Sequence, residues 1–204
     1  MWAYIKDGAI KQVNSVQTRL EINPGSYFPA KYANEWTKEQ KEAYGVYEVV
    51  IDKTNYKDEN YYTNTISTIT FSGGVVKETW GTAVARKLGD TNWTQEEIDA
   101  GKAPSGADTN TVATIGLTNQ HKNIISQTAH SLLSPTDWYA SRKAEAGTAI
   151  PSAVATYRAA VRTKAADMHT KIDAADTVEK LAALYVYTGD PLTRPLGEWP
   201  DPVE

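Results

Sequence analysis

Residues 131–162 read SLLSPTDWYASRKAEAGTAIPSAVATYRAAVR, and the punctuation in this stretch decides how the C-terminal half folds. Pro135 ends a helix arriving from its N-terminal side, because its ring removes a donor and clashes with the preceding turn. Thr136 or Asp137 can cap a helix beginning at Trp138, with the carboxylate near the positive end of the helix dipole. Gly147 offers a left-handed stop, and Pro151 suits the first turn of a second, longer helix. In that helix Val154, Tyr157, Val161, Ala165, Met168 and Ile172 recur at intervals of three and four, the spacing of one buried face. The pattern predicts two helices folded back on each other. Arg158 and Arg162, four apart, are expected to share a face, and antiparallel packing would bring Arg142 or Glu145 near them in a partly buried charge network. Thr136, Asp137, Trp138, Arg142, Glu145, Tyr157, Arg158 and Arg162 are therefore the candidate structural or interface residues.

Upstream, Val112, Ile115, Ile124, Ile125, Thr128 and Leu132 predict an amphipathic helix over 111–133, weakened at Gly116. Downstream, VEKLAALYVY predicts a last short helix, and the tail TGDPLTRPLGEWPDPVE, with four prolines and no periodicity, is expected to lie extended. The N-terminal part reads differently. Asp7-Gly8 between apolar runs is a hairpin signal. The run SVQTRLEI stops at Asn23-Pro24-Gly25, and Ser72-Gly73-Gly74 separates two more strand-like runs. Thr37 with Gln40 forms a capping box for a helix over 38–44, after which VYEVVID is β-branched enough for a strand. The fold class expected is α+β. A β-rich N-terminal domain of short antiparallel strands with one short helix (1–88) precedes a Gly-, Asp- and Asn-rich linker (89–110). A helical hairpin or small bundle (111–187) and an extended proline-rich tail (188–204) follow.

At 204 residues the chain is long enough to bury roughly 70% of its extended surface without staples. It has no cysteine, which excludes disulfides, thiolate metal sites and thiol nucleophiles. A net charge of -4 without a basic cluster argues against a nucleic-acid partner. No apolar run approaches the roughly 20 residues that span a bilayer, and the N-terminus lacks a signal-peptide pattern, so neither membrane insertion nor secretion by a leader is expected. The histidines, His121, His130 and His169, lack metal-ligand spacing, and the acid pairs Asp58-Glu59 and Glu96-Glu97 sit in polar segments. With no phosphate-binding or nucleophile motif either, the sequence predicts no catalytic residue, metal or cofactor. Its 12 tyrosines and 6 tryptophans against 2 phenylalanines suit half-wet contact surfaces.

The pattern LLxxTDWxxxRxxExxxxxPxxVxxYRxxVR, carried by Leu132 to Arg162, resembles a segment of tailed-bacteriophage tail-fibre assembly proteins and related tail-associated virion proteins. Val161 stands where the assembly proteins have leucine. MWAYIKDGAI, YGVYEVVID and ALYVYTGDPLTRPLGEWP look like stretches of structural proteins of marine tailed phages. The resemblance implies a non-enzymatic virion protein of the tail, in a fibre, baseplate or adaptor. Alternatively, it implies a fibre-assembly chaperone that acts in the host cytoplasm and is absent from the mature particle. Other tail proteins are the implied partners, with several copies in a symmetric assembly. The aromatic content leaves a third reading, a carbohydrate-binding tail protein in which Tyr and Trp stack on sugar rings.

Overall fold

Asp7 and Gly8 both take positive φ, 56° and 72°, and turn β1 (Trp2–Lys6) back into β2 (Ala9–Asn14). Positive φ at both central residues matches the right-handed twist of the flanking strands. These strands open a computed structural model that describes residues 1–14, 19–28 and 32–203. Its chain divides into two compact units, Met1–Val84 and Ala85–Glu204.

In the first unit, β3 (Leu20–Asn23) and β4 (Ser26–Phe28) pair around Pro24-Gly25, while the expected strand residues 15–18 lie outside the described residues. A one-turn helix, α1 (Tyr32–Glu35), precedes α2 (Lys38–Ala43), whose N-terminus carries the Thr37–Gln40 capping box. Gly45, at φ 76°, releases the chain into β5 (Val46–Asp52). Then come β6 (Tyr62–Thr63), β7 (Ser67–Ser72), β8 (Val75–Trp80) and β9 (Val84–Ala85), with β7 and β8 turned at Gly73-Gly74.

The main sheet has five strands in the order β2-β1-β5-β8-β7. It is not wholly antiparallel, as the sequence suggested: β5 runs parallel to β8, with Val49 opposite Val76. The polar stretch after Asp52 carries the chain away from β5, and β8 then returns beside it in the same direction. No turn residue encodes such a joint, because parallel neighbours are always joined by a long connection. The region also holds two helices where one was expected. On one face Ala3, Ile5, Val49 and Val76 are buried, with Ile10, Val13, Ile69 and Phe71 packed against them. On the other, Tyr4 and Val46 are buried beneath Trp2, Phe28 and Trp36. The sheet curls enough for its outer strands, β2 and β7, to come within 8 Å.

The second unit begins with β10 (Thr91–Asn92), paired with β11 (Val112–Thr114), and between them α3 (Gln95–Asp99), started by a Thr94–Glu97 capping box. Residues 89–110, read from composition as a linker with at best one helical turn at Gln95 to Ala100, carry that turn as α3 and a short strand besides. The helix expected from residue 111 starts instead at Leu117, as α4 (Leu117–Leu133). Gly116 marks the reason. A Cβ there would lie 2.2 Å from the Leu88 carbonyl oxygen, so only glycine lets the two backbones meet. Leu117 and Thr118 N–H donate to the carbonyls of Lys87 and Leu88, and Gly116 N–H to Asp90 Oδ1 at 2.7 Å. These acceptors satisfy the first turn from outside the helix, and the preceding residues are free to pair as β11.

A 3₁₀ turn (Ser134–Thr136) leads to α5 (Asp137–Ala146), which ends at Gly147 with φ 69°. Then follow α6 (Ser152–Asp173), preceded by Pro151, and α7 (Val178–Ala183). Helices α4 and α6 pack together. Of the six apolar positions expected on α6, Val154, Tyr157, Val161, Met168 and Ile172 are buried. After α7, Leu196 is fully buried and its N–H donates to Leu184 O, while Trp199 packs against Ala129, Tyr157 and Val161.

Candidate functional site

The sequence-selected residues meet, in part, where α4 hands over to α5. Arg158 belongs to the buried face of α6, between Tyr157 and Val161, and is only 7% exposed. A guanidinium there must spend its donors on fixed acceptors, since burying it unpaired would be costly. Nη1 donates to Leu133 O at 3.0 Å and to Thr136 Oγ1 at 2.6 Å, and Nη2 to Asp137 Oδ1 at 2.8 Å. Tyr157 contributes a hydroxyl donated to Leu132 O at 3.4 Å. Leu132 and Leu133 supply carbonyls from the last turn of α4, which have no partner within their own helix. Two neighbouring residues of α6 thus close the C-terminal end of α4 and hold the first residue of α5.

This arrangement corrects the capping expectation. Thr136 makes no side-chain cap to α5; its φ and ψ are -107° and 2°, and its hydroxyl donates back to Leu133 O at 2.8 Å. Asp137 is the first residue of α5, and its carboxylate is engaged by Arg158. The expected network of Arg142 or Glu145 with Arg158 and Arg162 also does not form. Asp137 is the acidic partner of Arg158, while Arg162 and Glu145 are exposed. Arg142 instead places its guanidinium 4.8 Å from the Trp138 ring centroid and 5.2 Å from that of Tyr139. The two rings stack at 3.7 Å, and Trp138 is 51% exposed, so it does not anchor a core. None of the α5 residues is buried. Thr136, Asp137, Tyr157 and Arg158 therefore gather in one junction, Trp138 and Arg142 form a separate surface cluster, and Glu145 and Arg162 stand apart.

Ser126 Oγ lies 3.3 Å from His169 Nε2, a distance that suggests a nucleophile and its base. The same nitrogen lies 3.1 Å from Lys122 O, and a carbonyl only accepts. That nitrogen therefore carries the proton and cannot take one from Ser126. His121 Nδ1 lies 2.7 Å from the Tyr185 hydroxyl. Burial, reinforced by Arg86, holds the His121 pKa below its ordinary value. Glu97, half of an acid pair in the sequence, is spent on the N-terminus of α3. Among the described residues, no group of three or more His, Asp or Glu side chains could hold a metal ion, and no helix is long and apolar enough to cross a membrane.

Sequence reasoning placed Arg158 with Arg162 in a partly buried charge network and missed its partners, Leu133, Thr136 and Asp137. A signal existed: it is the one arginine flanked by Val154, Tyr157 and Val161 on a single buried stripe. The Asp90–Gly116 contact left no comparable mark, because its partners are distant in sequence. Compared with known proteins, the chain matches no family model, no curated protein and no solved structure.

Proposed function

We propose that the chain is a non-enzymatic component of a bacteriophage tail, in a fibre, baseplate or adaptor, that works through protein contacts. The observation that carries this reading is the Leu132–Arg162 pattern. Its Thr136, Asp137, Tyr157 and Arg158 are spent on fixing one helix junction. Four polar side chains satisfied by one another and by backbone carbonyls suit a rigid scaffold better than a reaction centre, where a group must stay free to exchange a proton. In this reading, the α4–α6 pair acts as a helical clamp, the proline-rich tail lies along it, and the sheet region offers further contact surface. The protein occupies the tail of the particle after assembly in the host cytoplasm, beside other tail proteins and in several copies.

Mass spectrometry of purified particles tests the placement. The chain is expected among the tail proteins; its absence from particles, with presence in infected cells, would replace this reading by that of an assembly chaperone. Affinity purification from infected cells is expected to recover phage structural proteins, and recovery of host metabolic proteins alone would reject both. The sugar-binding reading is separated by a glycan array, on which no binding is expected.

A further inference from the structure

What the α4–α6 face binds is visible in the molecule, because the chain's own C-terminal segment is seated there. Leu196 is fully buried, its N–H donates to Leu184 O at 2.9 Å, and Lys171 Nζ donates to its carbonyl at 3.5 Å. Three residues on, Trp199 packs against Ala129 of α4 and against Tyr157 and Val161 of α6. Between these anchors Gly197 takes φ 88°, and a Cβ there would meet Lys164 Nζ at 2.2 Å, so the glycine leaves room for the lysine head. The face therefore accepts an extended Leu-Gly-Glu-Trp segment, and without one Ala129, Tyr157 and Val161 would lose the cover of an indole.

The connection that delivers this segment differs in kind. Residues 186–193 are all exposed. Their two arms are joined by Thr188 and Thr193, whose N–H groups donate to each other's carbonyls at 2.8 and 2.9 Å. At the surface the Tyr187 hydroxyl donates to Glu198 at 3.4 Å, and Arg194 lies 5.3 Å from the Tyr187 ring centroid. Water can replace such exposed contacts at small cost, whereas Leu196 and Trp199 are held by burial. A hinge that buries nothing thus carries a segment that is buried. Fully extended, its eight residues reach roughly 28 Å, far enough to leave one copy and enter another. No helix is broken in doing so, since the last one ends at Ala183.

We propose that the Leu196–Trp199 segment exchanges between copies, the C-terminal segment of one chain seating on the α4–α6 face of the next. In the second copy Leu196 and Trp199 meet the same contacts they made in the first. The anchors therefore favour neither arrangement, and the hinge and the local concentration decide between them. A short connection holds its end at an effective concentration in the millimolar range. Dilute chains keep their segments to themselves, and chains held side by side in a symmetric assembly pass them on. The inference rests on the several-copies part of the reading above and supplies a link between copies that forms upon assembly.

The test is the molar mass of the purified full chain by small-angle X-ray scattering at about 10 µM, far below the effective concentration of the segment, and at about 2 mM, within its range. Wild type is expected to be monomeric at the lower concentration and to contain dimers or larger species at the higher. Thr188→Cys with Thr193→Cys, in a chain with no other cysteine, staples the two arms of the hinge together when oxidised. That variant is expected to stay monomeric at the higher concentration and to associate like wild type once reduced. In associated wild type prepared from equal amounts of isotope-labelled and unlabelled chain, isotope-filtered NMR spectra are expected to show contacts between the Trp199 ring of one copy and the Val161 methyls of another. A wild type that is monomeric at both concentrations, an oxidised variant that associates like wild type, or Trp199–Val161 contacts confined to single copies overturns the exchange. Should the staple not close, the mixed-label spectra decide alone. A chain that exchanges its segment but is absent from particles rejects only the phage-tail reading; a chain found in particles whose Trp199–Val161 contacts stay within single copies rejects only the exchange.

Discussion

The tight turns of the sheet unit and the α4–α5 junction of the helical unit are held by opposite means. In the sheet unit each tight turn is written where it occurs: Asp7-Gly8 and Gly73-Gly74 take positive φ, and Thr37 with Gln40 starts α2 from within its own turn. In the helical unit the junction between α4 and α5 is held by Arg158, contributed by a helix that begins fifteen residues after α5 does (152 against 137). Local turn chemistry survives the loss of distant contacts, whereas the α4–α5 junction is only as secure as the packing of α6. The lesson is that apparent capping residues such as Thr136 and Asp137 can be claimed by a long side chain that arrives from elsewhere.

The largest expected effect tests that dependence. Met168 is fully buried on α6, and Met168→Ala should cost about 2 to 5 kcal/mol in urea unfolding. If α6 supports the junction, amide exchange at Leu133 to Asp137 should accelerate in the same variant; unchanged exchange there would separate the two. Arg158→Met comes next, at about 2 to 3 kcal/mol, because it leaves the Leu133, Thr136 and Asp137 acceptors to other partners. Loss under about 0.5 kcal/mol would show the junction to be held by Thr136 and the backbone alone.

On the sheet side, Gly45→Ala combines a left-handed backbone with a Cβ 2.3 Å from Ile5 O, and about 2 to 3 kcal/mol is expected in thermal or urea unfolding. A neutral result would break the view that this unit depends on its local turns. Trp138→Ala is expected to cost about 1 kcal/mol or less, against the 3 to 5 kcal/mol of a core aromatic, since half of its surface is already in water. The smallest effect is a pH slope from His121. Its folded pKa lies below the unfolded value, so the unfolded chain binds more protons as pH falls through about 6.5, and the stability present above that pH declines below it. His121→Gln should flatten that part of the stability profile; an identical slope in the variant would assign it to other groups.

Much of the secondary structure could be read from residues alone, for identifiable reasons. Val154, Tyr157, Val161, Met168 and Ile172 declare α6 by spacing, and Asp7-Gly8, Pro24-Gly25 and Gly147 declare their turns by backbone preference. What escaped was each decision made between distant residues. Nothing in VYEVVID says that Val49 will pair with Val76 in parallel, and nothing in ATIGLTN says that Leu88 and Asp90 will fix the start of α4 at Leu117. For the candidate site, the spacing of Tyr157 and Arg158 identified the right helix, yet Thr136 and Asp137, expected to cap the start of α5, serve instead as acceptors for Arg158, which also closes the end of α4.

The parallel joint between β5 and β8 also sets an order of events. The β1–β2 and β7–β8 hairpins unite neighbours in the chain and can form within microseconds, but β5 must find partners on both sides across long intervening segments. Its arrival is expected to limit the rate at which the sheet forms. Substitutions at Val49 should therefore leave hairpin formation intact while slowing the final consolidation, a separation that stopped-flow refolding of Val49→Ala would resolve.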